Sequence, residues 1–401
     1  MNRRLTGIAA TAAVLALSAA ACSSSKSSDA GTKSAAGAPT TAAAAAAGSS
    51  SAGGATKDAA SATTAQDLGG LDALVAAAKK EGTLNVIALP KTWANYGAIM
   101  DAFTAKYGIK INDANPDGSS QDELNAIKQQ KGKSSAPDVV DVGQAAATSG
   151  AADGLFAPYQ VATWSQIADA QKDAKGLWYN DYGGYIAIGY DADRVKTPPT
   201  TLKSLDDPAY KSQVALNGDP TKANAALSGV IAAALANGGN LDNVQPGIDF
   251  FGKLKADGVF VPVAATQATI QSGTTPITID WDYLQASAAT TLKAKGVNWK
   301  VVVPTDGLFG GFYNQAISAS APHPAAARLW EEFLYSPEGQ NLWLKGQARP
   351  AELPALQQAG TADTAALAAL PTVTGTPQFA TQDQMSAASK LAVAGWAKAT
   401  G

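Results

Sequence analysis

The stretch from residue 23 to residue 67 most constrains the fold, because it contains no Val, Ile, Leu, Met, Phe, Trp or Tyr. It consists mainly of Ala, Ser, Gly and Thr, with a few other polar or charged residues. Such a segment cannot bury enough apolar surface to offset the entropy lost on ordering. We therefore predict that residues 23–67 form a disordered tether and that the folded body begins at Leu68.

The segment before this tether has the features of an export signal. Arg3 and Arg4 precede an uncharged run that ends in small residues directly before Cys22, the only Cys of the chain. The run is too short and too weakly apolar for a comfortable membrane span, so the pattern predicts a secretory signal. Residues 1–22 resemble a bacterial lipoprotein signal, although Ala19 stands where Leu is preferred. The resemblance implies that Cys22 is lipidated and that the exported protein is anchored to the outer face of the cytoplasmic membrane.

Charge and composition exclude several classes of protein. The 401 residues carry 30 Lys and Arg against 33 Asp and Glu, without the basic excess of a nucleic-acid-binding protein. One Cys excludes an internal disulfide or a Cys-rich metal site, and one His excludes a multi-histidine site. The sequence has no P-loop, HExxH helix, Rossmann glycine fingerprint or nucleophile elbow. We therefore expect no nucleic-acid partner, no cofactor, no metal and no catalytic residues.

The folded body of about 330 residues exceeds one average core, which predicts two lobes. Apolar periodicity and glycine stops predict an alternating series of elements. These are helix 71–80, strand 83–89, helix 96–107, strand 109–111, helix 121–130 and strand 138–142. The alternation predicts an α/β fold with a mainly parallel sheet.

Six segments, taken in order, resemble bacterial ABC-transporter solute-binding proteins of the polyamine, iron and thiamine type. They are EGTLNV at 81–86, the helix and strand at 99–111, PDVVD at 137–141, YIAIGYD at 185–191, the segment at 201–211, and PHPAAARLW to SPEGQ at 322–340. Thr201 replaces a usual Trp, and Ser212 replaces a usual Gly. The resemblance covers about residues 68–400.

The resemblance implies a two-lobed, periplasmic-binding-protein-like fold of type II, with crossings near 189–195 and 303–311. It also implies a monomer that captures a small-molecule ligand between the lobes and delivers it to an ABC transporter permease. The implied divisions are 68–190 plus 305–350 for lobe 1, 191–304 for lobe 2, and 351–401 for a tail whose last helix, 383–399, packs on the body.

Loops that follow the predicted strands carry the candidate ligand contacts, because ligands of α/β proteins bind beyond the carboxyl ends of strands. Aromatic rings with polar tips suit a wet cleft, although core packing is the alternative for each Tyr. The candidates are Trp93, Gln144, Tyr179, Tyr182, Asp219, Thr221, Asp280, Trp281, Asp282 and Tyr313.

The densest cluster is Asp280-Trp281-Asp282, at the end of a β-branched strand. If the strand continues that far, alternation places Asp280 and Asp282 on one face. Carboxylates beside aromatic rings are the usual arrangement for an organic cation such as a polyamine. The alternative is a strand end at which an Asp caps the next helix.

Other ligands and two other classes of protein stay open, a secreted hydrolase and a purely structural or signalling lipoprotein. A sugar or a thiamine-like molecule would also use Trp and Tyr, and backbone amides can bind a phosphonate. A secreted hydrolase would use Asp280 and Asp282 as a carboxylate pair. Iron is disfavoured, because Phe312 precedes Tyr313 where some iron-binding relatives carry adjacent tyrosines.

Overall fold

Strands and helices alternate along residues 57–401, the part of the chain that the computed structural model describes. The strands are β1 (Thr83–Ile87), β2 (Lys110–Ala114), β3 (Val139–Gly143), β4 (Phe156–Ala157), β5 (Tyr179–Asp191), β6 (Val214–Leu216), β7 (Ile277–Trp281), β8 (Trp299–Val302), β9 (Phe309–Ser318), β10 (Arg349–Pro350) and β11 (Gln378–Phe379). The helices are α1 (Leu71–Glu81), α2 (Tyr96–Tyr107), α3 (Ser120–Gln130), α4 (Gln144–Ala152), α5 (Asn224–Ala236), α6 (Gln245–Ala256), α7 (Gln267–Ser272), α8 (Asp282–Thr291), α9 (Pro324–Leu334), α10 (Pro337–Lys345), α11 (Leu353–Ala359), α12 (Thr364–Ala368) and α13 (Gln382–Thr400).

The predicted helices of the first part of the body are confirmed, and their ends have local causes. α1 and α2 end at Gly82 and Gly108, which adopt φ of 70° and 71° in the left-handed region. Glycine enters this region without a steric penalty, and it is therefore the common residue after a helix. α3 begins with a capping box in which the Ser119 hydroxyl and the Asp122 carboxylate bind each other's backbone N–H groups.

The prediction of a mainly parallel sheet is wrong. β1–β2, β6–β7 and β9–β11 pair in parallel, whereas β5 pairs antiparallel with β7, β8, β9 and β10, and β9 pairs antiparallel with β3 and β4. The cause is the path of the chain between its lobes. β5 carries the chain out of the first lobe and β9 carries it back, so these two strands run in opposite directions where they pair.

The two lobes join inside β5. Its first part, as far as Tyr185, pairs with β9, and its second part, from Ile186, pairs with β7 and β8. The crossing therefore lies at Tyr185–Ile186, earlier than the expected 189–195, because one unbroken strand serves both sheets. The chain returns in the segment between β8 and β9, and the lobe bounds 68–190 plus 305–350 and 191–304 stay predictions.

Residues 57–67, which we predicted to belong to the tether, pack against the body instead. The guanidinium of Arg328, 1% exposed, donates to the carbonyl oxygens of Ala62 at 2.8 Å and Ala60 at 3.0 Å. Lys57 and Asp67 form an ion pair at 3.1 Å. Residues 57–67 are attached mainly through their backbone carbonyl groups, which Arg328 binds. The prediction of a tether used only the lack of apolar side chains, which does not reveal backbone contacts.

α13 confirms the predicted terminal helix and packs against both α6 and α4. The ring of Trp396 meets that of Phe251 at a centroid distance of 5.5 Å. Upstream, Phe379 of β11 pairs with Gly310 of β9, so the tail adds a short parallel strand beside the start of the returning strand. Within residues 57–401, no helix combines the length and the apolar character needed to cross a membrane.

Candidate functional site

Three helices begin where the two lobes meet, at the carboxyl ends of strands. α4 starts at Gln144 directly after β3, α8 starts at Asp282 directly after β7, and α5 starts at Asn224 after the loop that follows β6. Asn224 lies so close to Gly143 that a side chain at Gly143 would collide with it. The lobes therefore touch at these helix starts, which is the usual place for a ligand in α/β proteins.

Five aromatic residues from both lobes form a packed cluster, which we name the aromatic seam. Its members are Trp93, Tyr182, Trp281, Tyr283 and Tyr313. The Tyr182 and Tyr313 rings stack with centroids 5.8 Å apart, and the Trp281 and Tyr283 rings stack at 6.2 Å. Trp93 meets Tyr313 edge-on at 5.6 Å and Tyr283 at 6.4 Å. The fold thus brings together four predicted residues, separated by up to 220 positions, and adds Tyr283.

A hydrogen-bond chain leads from the seam to a buried carboxyl group. The Trp93 indole donates to the Tyr182 hydroxyl at 2.7 Å, and this hydroxyl donates to Oδ2 of Asp141 at 2.7 Å. The Tyr96 hydroxyl donates to the same oxygen at 2.9 Å, and the buried Asp181 carboxyl group beside Asp141 shares a hydrogen bond with it that lowers the Asp141 pKa and raises its own. Burial raises the pKa of Asp141, and the hydroxyl donors oppose that rise. Asp141 was missed from sequence because it occupies an ordinary position in an apolar strand.

Asp280 is the second buried carboxyl group at the seam. Its oxygens accept the backbone N–H of Trp281 at 2.8 Å and the Asn217 amide at 2.8 Å. Burial raises its pKa to about 7, and the two donors only partly oppose the rise. Burial, the neighbouring Tyr313, and then Asp280 and Asp141 raise the pKa of Tyr283, which places both carboxyl groups near its ring.

Asp282 does not share a face with Asp280, and that prediction is wrong. β7 ends at Trp281, and Asp282 is the first residue of α8, so strand alternation stops before it. Its carboxylate pairs with Arg349 at 2.7 Å and accepts the backbone N–H of Tyr185 at 3.0 Å. Asp282 thus links the start of α8 to β10 and β5. This structural role resembles the alternative interpretation, in which an Asp at the strand end caps the next helix. Asp280 and Asp282 therefore do not form a carboxylate pair.

Three further candidates lie away from the seam. Tyr179 is 1% exposed inside the first lobe, where its ring lies 4.9 Å from that of Tyr335, so core packing explains it. Thr221 donates its backbone N–H and its hydroxyl to Asp219, which closes a surface turn. Thr221 also lines a cavity of about 410 Å³ between α4, α5 and α13.

A larger cavity, of about 670 Å³, lies beside the seam and includes the predicted Gln144 in its wall. Phe309, Phe312 and the glycines between them form one side. Its other lining residues are Ala170, Gln171, Asn180, Asn224, Ser228, Phe379, Ala380, Thr381, Gln382, Asp383 and Met385. None of them is Lys or Arg, so the cavity offers no cationic side chain to an anionic ligand.

The chain was compared with protein families and with curated sequences. The family model described as bacterial extracellular solute-binding protein matches residues 134–374. Among curated protein sequences, none matches the chain.

Solved structures share the fold at low sequence identity. The fructose-6-phosphate-bound periplasmic binding protein AfuA from Actinobacillus pleuropneumoniae has a TM-score of 0.62 and 20% identity, over 80% of this chain and 99% of its own. Iron-bound HitA from Pseudomonas aeruginosa has a TM-score of 0.59 and 22% identity, over 79% and 99%. AgtB from A. tumefaciens R10, in complex with agropinic acid, has a TM-score of 0.61 and 18% identity, over 80% and 98%. At such identities the likeness supports the two-lobed α/β fold alone.

Proposed function

Because this chain belongs to the bacterial extracellular solute-binding protein family, we propose that it captures a small organic cation at the aromatic seam and delivers it to an ABC importer. The family model matches more than half of the chain. Membership makes the chain a binding protein and not an enzyme. The hydrolase alternative required Asp280 and Asp282 to act as a carboxylate pair. Asp282 instead forms an ion pair with Arg349, so that alternative has no support.

One observation carries the choice of a cation: two buried carboxyl groups at the seam lack a cationic partner. Within residues 57–401, Asp141 and Asp280 form no ion pair with Lys or Arg, and no such residue lowers their pKa values. A buried carboxylate without a counter-charge is costly, and a bound ammonium group would provide one. The electron-rich faces of Trp and Tyr attract the same group.

Both lobes contribute to this arrangement, which fits capture by closure. Trp93 and Tyr182 come from the first lobe or its crossing strand, and Trp281 and Tyr283 come from the second. In this structure the rings contact one another directly. A ligand would therefore enter when the lobes separate and would replace some of these contacts with its own.

A sugar is the second candidate, supported by the neutral and aromatic lining of the larger cavity. A phosphate or phosphonate has less support, because no Lys or Arg lines that cavity. The neighbours AfuA and HitA hold fructose-6-phosphate and iron. The larger cavity has no Lys or Arg for a phosphate group, and Phe312 precedes Tyr313 where some iron-binding relatives carry adjacent tyrosines.

Export and anchoring remain proposals that rest on the N-terminal sequence. Residues 1–22 and the proposed lipid site Cys22 lie outside the described residues. A lipid on Cys22 followed by a tether of Ala, Ser, Gly and Thr would hold the binding body near the membrane and its permease.

A thermal-shift panel tests the proposed ligand class. The chain without its signal is melted with polyamines, choline, thiamine, amino acids, sugars and phosphonates, since a ligand that binds only the folded state raises Tm. We expect the organic cations to raise Tm and phosphonates to leave it unchanged. A rise confined to phosphonates or other anions would refute the cation proposal while leaving the transport role intact.

A further inference from the structure

The C-terminal helix α13 contacts helices on both sides of the crossing in β5. It packs against α4, which precedes the crossing, and against α5 and α6, which follow it. Residues of its first three turns line both cavities. α13 therefore spans the junction of the lobes, and a separation of the lobes pulls it away from one of them.

The contact of α13 with the second lobe is aromatic and buried. The Trp396 ring, 8% exposed, meets Phe251 of α6 at a centroid distance of 5.5 Å and Phe260 at 5.8 Å. The Gln384 amide also donates to the carboxylate of Asp242, just before α6, at 2.8 Å. Exposure of packed aromatic rings strongly destabilises a fold, so this contact holds α13 on the second lobe.

The contact of α13 with α4 is looser. Small residues of both helices, Ser386 and Ser389 of α13 with Ala145, Thr148 and Ala152 of α4, line the cavity of about 410 Å³. Within residues 57–401, no hydrogen bond or ion pair joins the two helices. Atoms that border a cavity have fewer partners for dispersion attraction, so less free energy opposes the separation of α13 from α4 than from α6.

β11 fixes the start of the tail at the crossing between the lobes. Phe379 pairs with Gly310 of β9, and its ring stacks on Phe312 with centroids 6.1 Å apart. Gly310 in turn pairs with Tyr185, the last residue of β5 before the crossing. Only residues 380–381 separate β11 from α13, so the helix begins at the crossing and can turn about this short link.

β11 and α13 lie outside the family match, which ends at residue 374. AfuA aligns over 99% of its own length but over only 80% of this chain, and residues 1–56 account for only part of the difference. Part of the described body thus has no counterpart in AfuA. The role of the tail therefore depends on the contacts that this chain itself makes.

We propose that α13 is a strap that moves with the second lobe and holds the lobes closed through its contact with α4. When the lobes open, α13 stays on α6, turns about residues 380–381 and separates from α4. The strength of the α4 contact then sets the share of the free protein that is open. This inference rests on the lobe movement of the proposed function, and it is independent of the class of ligand.

Distances between paired spin labels test the strap without a ligand. Cysteines are introduced two at a time at exposed positions: Gln129→Cys in α3 marks the first lobe, Ala256→Cys in α6 marks the second, and Ala394→Cys marks the strap. The parent is the chain from Ser23 onward, because Cys22 is the only natural Cys. We expect a narrow distance distribution for 256–394, and broad or double distributions for 129–394 and 129–256.

The three distributions separate the strap from the lobe movement itself. If 129–394 is narrow and 256–394 is broad, α13 moves with the first lobe, and the strap is refuted while capture by closure stands. If all three are broad, α13 is fixed to neither lobe, and the strap is again refuted. If 129–256 is narrow, the lobes do not separate, and both the strap and capture by closure fail.

Filling the cavity between α13 and α4 gives a second measurement. Ser389→Leu adds apolar surface that is buried only when the two helices meet, so the share of the long 129–394 distance should fall by about fivefold or more. Ser386→Leu repeats the test from a second position in the cavity wall, should Ser389→Leu overpack it. Ala387→Leu, at an exposed position of α13, is the matched control and should leave that share unchanged. The same share in all three variants would contradict the proposal that the α4 contact controls opening.

Discussion

Replacing Asp280 by Asn should weaken cation binding and stabilise the free protein at the same time. Asn keeps the shape and the oxygen that accepts the Trp281 N–H, and it removes the charge. Its NH2 group replaces the oxygen that accepts the Asn217 amide, so Asn217 must turn its own amide oxygen toward it. A carboxylate that pairs with a buried ligand cation is worth about 2–5 kcal/mol, so affinity should fall by at least about tenfold.

The effect on stability follows from the raised pKa of Asp280. In the unfolded chain this carboxyl group ionises near 3.8, and in the folded protein near 7, so folding binds a proton between these values. Stability is therefore lost as pH rises from about 4 to about 7. At about 1.4 kcal/mol for each pH unit, the rise from 3.8 to about 7 corresponds to about 4 kcal/mol. Asp280→Asn should restore much of this lost free energy of unfolding at about pH 8 and less than half of it at about pH 5.

Calorimetric titration with spermidine and thermal melting at both pH values provide the test. Cation affinity of the parent should also fall below about pH 7, as Asp280 and Asp141 become protonated, and the variant should retain only the weaker dependence that comes from Asp141. Asp153→Asn, at an exposed carboxylate paired with Lys128, is the control and should show neither effect. Unchanged binding in Asp280→Asn would mean that the seam is not the site. A lower Tm at both pH values would mean that the carboxylate supports the fold.

Three further results are expected. Arg349→Met leaves the buried carboxylate at the start of α8 without its cation and should cost about 3–5 kcal/mol, seen as a lower midpoint in urea; an unchanged midpoint would contradict the ion pair as a structural tie. A chain that begins at Leu68 should melt below one that begins at Lys57, because Arg328 loses the carbonyl groups that it binds; equal Tm values would place the boundary at the tether after all. Cys22→Ser should remove the protein from the membrane fraction of cells that export it, whereas full retention of a processed protein would exclude the lipid site.

The features that sequence predicted well are those with local causes. The bounds of α1 and α2 follow from apolar spacing and from Gly82 and Gly108, which are neighbours of the helices they end. Trp93 and Trp281 were found because aromatic residues directly after predicted strands are conspicuous in a single sequence. The resemblance to solute-binding proteins also came from short local segments, and the family match over residues 134–374 confirms it.

For Asp282, the prediction from strand alternation was wrong because the strand ends one residue earlier. Whether Asp280 and Asp282 share a face depends on where β7 stops, and the Arg349 partner of Asp282 lies far along the chain. The mainly parallel sheet failed for a related reason. Sheet direction depends on how β5 and β9 meet, and the order of elements does not specify that meeting.

Residue patterns alone predicted the two-lobed α/β class and the main helices, and they also predict the export signal and the loops that carry ligand contacts. The folded arrangement revealed that Asp141 faces Tyr182, that Tyr283 joins the seam, that Arg328 binds the carbonyl groups of Ala60 and Ala62, and that the tail lines the larger cavity. The physical reason is the range of the interactions. Helix ends and turns depend on residues a few positions apart, whereas burial, pKa shifts and unpaired polar atoms depend on neighbours that the fold brings together from distant parts of the chain.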